Sequence, residues 1–466
     1  MNFEYKNDKN KIAIITFYNK SEYCEDIKNN HLLYCKTNNY NYYIIEDEIT
    51  SEELVFLVKQ HDYIMFFASE CIITNKNIKI EDLITDDKSF HLNNYENSEI
   101  VLFKTSEEVF KIILDVLHNK KFDFEKFINK YKNIIHFYDD NQICCDYKNY
   151  TTDKFMLSLD NIHSKINIKK QIQLFNNLLE TEDEEPKIIV SVATIPSRIK
   201  GLLKLVENLL SGSMPPDKII FSLPSKYKLF SDSETHIEEI NKLLSKYIKK
   251  DIVYINEFKV DNENIYDYGP CNKWLGIYKF LDDNPEYNQN NYVAIVLDDD
   301  VLYNLDFFEI LMDKHKLYSR DVITGYTSYS NYGKNLTVNI REFKTRAPLL
   351  KGVNGNLLPK HFFCNILNPD FKTIMNYGIK SMTNDIVFHD DPIITTLVYY
   401  YKYYVKSVNN EIKARGKACS YCHNKTNDDR KIDFHGVSSL KKSKKEWFDV
   451  KQISRFLDNF KNYYKY

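Results

Sequence analysis

The chain has 466 residues, of which 43% are hydrophobic and 14% aromatic, which suits two or three globular domains and argues against a disordered protein. Its formal net charge is −3, and the one dense basic cluster, Lys441-Lys442-Ser443-Lys444-Lys445, adjoins Glu446, so no global field draws it to nucleic acid. Nine irregularly spaced cysteines, a polar start at Met1–Lys11 and no apolar run near the roughly 18 residues needed to cross a membrane argue against a disulfide scaffold and a transmembrane segment. They predict a cytoplasmic protein with reduced thiols, and a host cytoplasm if the chain is viral. The Asn-, Lys-, Ile- and Tyr-rich composition is that of an AT-rich genome, such as that of a parasite or a large DNA virus.

In chain order, the β-branched run Lys11–Phe17 predicts a strand, followed by a helical stretch from Tyr23. Apolar runs at Tyr42–Ile45 and Tyr63–Phe67 predict two more strands, separated by a helix over Ser51–Gln60. A helical pattern from about Thr152 to Leu179 ends in the acidic stretch Glu180-Thr-Glu-Asp-Glu-Glu-Pro186. A new apolar strand begins at once, Lys187–Ala193, so the clearest seam of the chain lies there. Beyond it, strands at Ile188–Val192, Lys218–Leu223 and Ile252–Ile255 alternate with helices near Ile199–Leu210 and Ile237–Tyr247. Strands alternating with helices of about 10–15 residues indicate mostly parallel α/β sheets. The expected organisation is two α/β domains in tandem, at 1–150 and 187–405, with a helical and acidic linker at 151–186 and a helical C-terminal tail at 406–466.

Several segments of the second half fall where a parallel sheet places its loops. Thr194-Ile-Pro196-Ser-Arg198 follows the opening strand; its arginine suits a phosphate or ribose, and Ser197 equally suits a helix cap. Asp267-Tyr268-Gly269-Pro270-Cys-Asn-Lys273 is a Gly-Pro turn flanked by a carboxylate and a lysine, which fits a ligand site or a plain turn opening the helix Trp274–Leu281. Tyr292–Leu297 ends in Asp298-Asp299-Asp300. If the strand continues, Asp298 and Asp300 point to one side and form half of a divalent-cation site, with Asp299 facing away. A solvated acidic turn before a helix near Leu305 is the other reading. Lys351-Gly352-Val-Asn-Gly355-Asn permits close backbone approach to a ligand. In His389-Asp390-Asp391-Pro392, Asp391 suits an N-cap, and either carboxylate suits a general base.

The order of these segments is more specific than any one of them. Ser191-Val-Ala-Thr-Ile-Pro-Ser-Arg198, Asp267-Tyr-Gly-Pro-Cys-Asn-Lys273, Leu297-Asp-Asp-Asp-Val-Leu-Tyr303 and Asp390-Asp391 together resemble the nucleotide-sugar-dependent glycosyltransferases of the GT-A fold, over roughly Lys187–Val405. The resemblance implies Mn²⁺ or Mg²⁺ held by Asp298 and Asp300 as the outer residues of an Asp-x-Asp motif. It implies donor contacts from Thr194, Arg198, Asp267, Lys273 and the middle residue Asp299, and an acceptor-activating base at Asp391 or Asp390. It also implies a hexosyltransferase with a UDP-sugar donor and a glycan, glycoprotein or glycolipid acceptor. His435 is a candidate further ligand, and Cys271-Asn272 departs from the small residues usual in related sequences.

The first half resembles a galactosyl- and mannosyltransferase-like domain more faintly, through Ile12–Asn19, Tyr23, Asn29 and Asp62–Phe67. Its expected Asp-x-Asp reads Ala68-Ser69-Glu70, too little charge for a dependable cation site, which implies a degenerate domain. Asp139-Asp140 offers carboxylates from elsewhere in that half. Cys419-Ser-Tyr-Cys422-His423 has the form of a c-type haem attachment or half a zinc site, but haem attachment needs an export compartment that this N-terminus does not address and no second cysteine pair completes a zinc site, so it reads as coincidence, with a lone structural metal as the second reading. The alternative to an enzyme is a non-enzymatic glycan-binding or assembly protein built from retired transferase domains.

Overall fold

A computed structural model describes residues 2–5, 11–17, 23–46, 49–67, 70–85, 88–93, 100–118, 124–138, 144–145, 154–159, 168–227, 233–234, 237–258, 267–325, 327–328, 349–350, 355–364, 374, 394–395, 397–398, 401 and 403–408. It divides into two compact units, Met1–Glu180 and Thr181–Tyr466. Both are mixed α/β, with parallel strands at the centre of each main sheet, as the alternation of strand and helix patterns implies.

In the first unit β1 (Asn2–Tyr5), β2 (Ile12–Phe17), β3 (Asn41–Ile45) and β4 (Tyr63–Phe67) are joined through helices α1 (Cys24–Asn38) and α2 (Ser51–Gln60). β5 (Cys71–Ile73), β6 (Phe90–Asn93), β7 (Ile100–Lys104) and β8 (Ile135–Tyr138) follow, with α3 (Glu107–His118) and α4 (Phe124–Tyr131) between the last two strands. The main sheet has the order β1-β3-β2-β4-β7-β6-β8. β2 shows why its sequence is apolar except at Thr16. Ile12 and Ile14 enter one core with Tyr42 and Met65, whereas Ala13 and Ile15 enter the opposite one with Tyr43 and Ile64. α2 starts where Thr50 and Glu53 form a reciprocal capping box.

Buried polar groups tie the unit together. The His31 ring donates from Nε2 to the carbonyl of Cys71 at 2.8 Å, so its Nδ1 accepts from the Thr16 hydroxyl at 3.0 Å. Burial lowers its pKa to about 4. The stretch expected to be helical from Thr152 onward instead holds a strand, β10 (Met156–Ser158), before helix α5 (Ile168–Thr181). β10 pairs antiparallel with β5 and parallel with β9 (Cys144–Cys145), and Phe155, Met156 and Leu157 are fully buried there. Pairing with a strand some 80 positions away overrides the local helical pattern.

In the second unit β11 (Lys187–Ala193), β12 (Lys218–Pro224), β15 (Val253–Phe258) and β16 (Tyr292–Asp298) are parallel. A short hairpin, β13 (Lys226–Tyr227) and β14 (Ser233–Glu234), follows β12. The sheet order is β15-β12-β11-β16-β20-β17-β21, with β17 (Val322–Thr324), β20 (Asn356–Pro359) and β21 (Val405–Ser407) completing it. β18 (Thr327–Ser328) and β19 (Leu349–Leu350) pair separately. Ile188, Val190 and Val192 pack with the apolar faces of α6 (Leu202–Leu210), α7 (Ile237–Ile248) and α9 (Phe307–Leu317) in one core. α8 (Asn272–Asp283) meets the other face and is buried along most of its length. Its Gly276 is required: a Cβ there would stand 1.7 Å from the Ser222 Oγ. Gly355, at φ +70°, leads into β20, and a Cβ there would stand 2.5 Å from the Phe307 ring.

The acidic run at the seam is fixed to this unit. Glu182, half-buried, takes a two-pronged bond from the buried Arg320 at 2.8 and 2.9 Å. The Asn291 amide donates to the Glu184 carbonyl at 2.8 Å, and the buried Lys360 ammonium reaches the Thr181 hydroxyl at 2.8 Å. α10 (Lys360–Cys364) carries that lysine. The tail expected after residue 406 lies, beyond Val408, outside the described residues.

Candidate functional site

From β11 the chain steps outward to β12 and β15 and then returns to the other side of β11 as β16. The strand order therefore reverses between β11 and β16, and ligands of open α/β sheets bind at the carboxyl ends of the strands at such a point. Ala193 pairs with Asp298 in the register, so both strands end level. Thr194 and Asp299 come next, and the Thr194 hydroxyl donates to Asp299 Oδ2 at 2.6 Å. The Tyr227 hydroxyl holds the Thr194 carbonyl from the hairpin side at 3.1 Å.

Pro196 opens a 3₁₀ turn, Pro196–Gly201, that aims Arg198 back over the same strand ends. One guanidinium nitrogen donates to Asp299 Oδ1 at 2.5 Å, and another lies 3.0 Å from Asp300 Oδ2. Its N-cap residue, Ile195, makes no side-chain capping bond. Burial would lower the Arg198 pKa, but attraction to Asp299 and Asp300 wins and raises it. Asp299 is pushed up to about 6 by its burial, helped by Asp300 and opposed by Arg198 and Thr194.

The Gly-Pro segment supplies the second cation. Asp267 Oδ1 accepts from the Gly269 N–H at 2.9 Å, which locks a turn whose Gly269 has φ +53°. This turn starts α8. The close approach at Gly276 presses α8 onto β12, and the Ser191 hydroxyl of β11 donates to the Lys273 carbonyl in the helix's first turn. The Lys273 ammonium, 4% exposed, lies 2.5 Å from Asp298 Oδ1.

The three aspartates thus differ in exposure, at 30% for Asp298, 3% for Asp299 and 39% for Asp300. The strand stops at Asp298, so this outward-inward-outward pattern comes from a turn held by Arg198 and Thr194 rather than from strand pleat. Two residues that sequence reasoning gave no role hold the turn from behind. The Asp298 N–H donates to the Tyr303 hydroxyl at 3.2 Å, and the Asn208 side chain pairs with both the N–H and the carbonyl of Tyr303 at 2.8 and 3.0 Å. Asn208 is one of three polar residues of α6, with Lys204 and Glu207, and no local signal singles it out.

Three carboxylates and two cations leave one net negative charge at the sheet edge. Asp298 and Asp300 keep open faces, and two carboxylates with hard oxygen donors suit Mg²⁺ or Mn²⁺, whose remaining positions go to water or phosphate oxygens. Among the described residues, no group of three or more His, Cys, Asp or Glu side chains is placed to hold a metal ion. Thr194, Arg198, Lys273 and the aspartates meet; Asp267 shapes the adjacent turn. Asp390, Asp391, His435, Lys351–Asn354, Asp139-Asp140, Ala68-Ser69 and Cys419–His423 lie outside the described residues. Of the expected degenerate motif only Glu70 is described; its carbonyl accepts from the Leu159 N–H at 2.8 Å.

No family model and no curated protein matches the sequence. Similar solved structures are glycosyltransferases. A glycosyltransferase involved in the glycosylation of the major capsid of PBCV-1 is 15% identical, with 36% of this chain and 99% of that chain covered and a TM-score of 0.28. The WbbM bifunctional glycosyltransferase is 9% identical over 97% of this chain and 98% of its own, with a TM-score of 0.31. A mutant Drosophila β1,4-galactosyltransferase 7 in complex with manganese, UDP-Gal and xylobiose is 12% identical over 32% and 71%, with a TM-score of 0.23. Among the described residues, no helix is long and apolar enough to cross a membrane.

Proposed function

We propose that the second unit is a metal-dependent glycosyltransferase, a hexosyltransferase that moves a sugar from a UDP-sugar to a hydroxyl of a glycan, protein or lipid. The observation that supports this reading is the meeting of Arg198 and Lys273 with Asp298, Asp299 and Asp300 at the point where the strand order reverses. An anionic ligand with its own cation fits such a place, and a nucleoside diphosphate is one.

Asp298 and Asp300 would hold Mn²⁺ or Mg²⁺, which when bound neutralises charge on the departing diphosphate. Lys273 and Arg198 bring positive charge to the same end of the sheet. Thr194 and Asp299 keep the arginine in place, and Asp267 shapes the loop that presents the lysine. The acceptor hydroxyl must lose a proton as it attacks the anomeric carbon, and the Asp390-Asp391 pair is assigned that task by its sequence alone. The first unit is assigned a scaffold or acceptor-docking role because Ala68-Ser69-Glu70 stands where its metal motif would be.

The test is nucleotide release from a panel of UDP- and GDP-sugars, with and without Mn²⁺. Metal-dependent release from one donor supports the reading, and silence across the panel sinks it. Glycan binding that survives Asp298→Ala and Asp300→Ala unchanged would favour the non-enzymatic alternative instead.

A further inference from the structure

The two side-chain cations occupy the very carboxylates assigned to the metal. Lys273 sits 2.5 Å from Asp298, and the Arg198 fork ends 3.0 Å from Asp300. Neither cation is free to withdraw into water. Lys273 is buried, with its backbone tied to Ser191, and Arg198 is tied to the buried Asp299. A dication arriving alone on the open faces of Asp298 and Asp300 would stand close to both charges and be repelled by them. With both cations counted, the five side chains carry a single net negative charge, so they attract a lone dication only weakly, since ligand charge count sets divalent affinity.

We propose that Lys273 and Arg198 are placeholders for the divalent cation, so that cation and diphosphate enter the site together rather than the cation first. This rests on the transferase reading of the site. A diphosphate brings the missing negative charge: its oxygens accept from Lys273 and Arg198 and also complete the shell of the cation. Each ligand then raises the affinity of the other, by the same factor in both directions. Lys273 is the sharper reporter, because it opposes the cation yet favours the diphosphate. Its removal moves the two affinities in opposite senses, which a merely structural lysine would not do.

The experiment is calorimetric titration of the full chain with Mn²⁺ alone, UDP alone, and Mn²⁺ with UDP, corrected for Mn²⁺ binding to UDP in solution. In the wild type, UDP is expected to tighten Mn²⁺ binding about tenfold or more. In Lys273→Met, Mn²⁺ alone is expected to bind more tightly than in the wild type, while UDP binds more weakly and the coupling shrinks. Mn²⁺ binding the wild type as well without UDP as with it overturns the proposal and leaves the transferase reading intact. So does a folded Lys273→Met chain with unchanged or weaker affinity for Mn²⁺ alone. If that variant does not fold, the wild-type coupling decides by itself. No binding of Mn²⁺ or UDP in any arm, with GDP tried in place of UDP, overturns the transferase reading and the proposal with it.

Discussion

Arg198 and Asp299 form a pair, 2.5 Å apart, in which the carboxylate is buried and the guanidinium is its principal counter-charge. Thr194 holds the second oxygen of the same carboxylate. Removing one partner of a buried pair strands the other, and that costs more than the pair contributes. Arg198→Ala is expected to destabilise the second unit by about 3 kcal/mol. Adding Asp299→Asn should recover much of the loss. Urea unfolding of the single and double variants measures both, and additive losses would show that the two residues act independently.

Asp300 gives the opposite expectation. It is 39% exposed, and no described residue is left buried and unpaired by its loss. Asp300→Asn should leave urea stability within about 0.5 kcal/mol of the wild type, yet cut metal-dependent nucleotide release by about 10²-fold or more. EDTA should abolish release in the wild type, and added Mn²⁺ should restore it. A chelator-resistant activity would argue for direct use of Arg198 and Lys273 as the only cations.

Gly276→Ala is expected to be strongly destabilising, although alanine favours a helix interior over glycine by about 1 kcal/mol. The new Cβ would lie 1.7 Å from the Ser222 Oγ and 2.7 Å from the Ser222 Cβ. Ser222→Gly in the same chain removes both clashing atoms and should restore a large part of the stability. Thermal unfolding of the single and double variants checks this.

The first unit should weaken in acid. His31 is neutral when folded, with a pKa lowered by burial to about 4, and His61 is lowered to about 4 by burial and by Lys11. In the unfolded chain a histidine titrates near its ordinary 6.5. Between those values the unfolded chain binds a proton that the native chain does not, so stability is full above about pH 6.5 and falls as pH drops toward 4. For His31 the loss is roughly 3 kcal/mol. Urea midpoints at pH 7, 5.5 and 4.5 should fall in that order, and His31→Gln should flatten the trend.

Much of this was legible because it is local. Ser51–Gln60 and Tyr63–Phe67 are a helix and a strand with the very bounds their patterns give, since Thr50 and Glu53 cap the one and a run of apolar residues fixes the other. Strand β16 extends the run Tyr292–Leu297 by a single residue. What local pattern did not carry is pairing at a distance. β10 exists because β5 is there to receive it, and the roles of Asn208 and Tyr303 appear only when residues 95 positions apart meet. The split among the three aspartates was legible as an alternation. Its cause was not, because a turn and an arginine produce it rather than the pleat of a strand.

The docking of Glu182 on Arg320 bears on where the chain can be cut. A version beginning at Lys187, just past the proline that looks like a natural boundary, would remove the carboxylate that answers a buried guanidinium. It would also remove the Thr181 hydroxyl from the Lys360 ammonium, and the Glu184 carbonyl from Asn291. Expression of the second unit by itself should therefore start upstream of Thr181. A shorter version is expected to be less soluble and less stable for a reason unrelated to its chemistry.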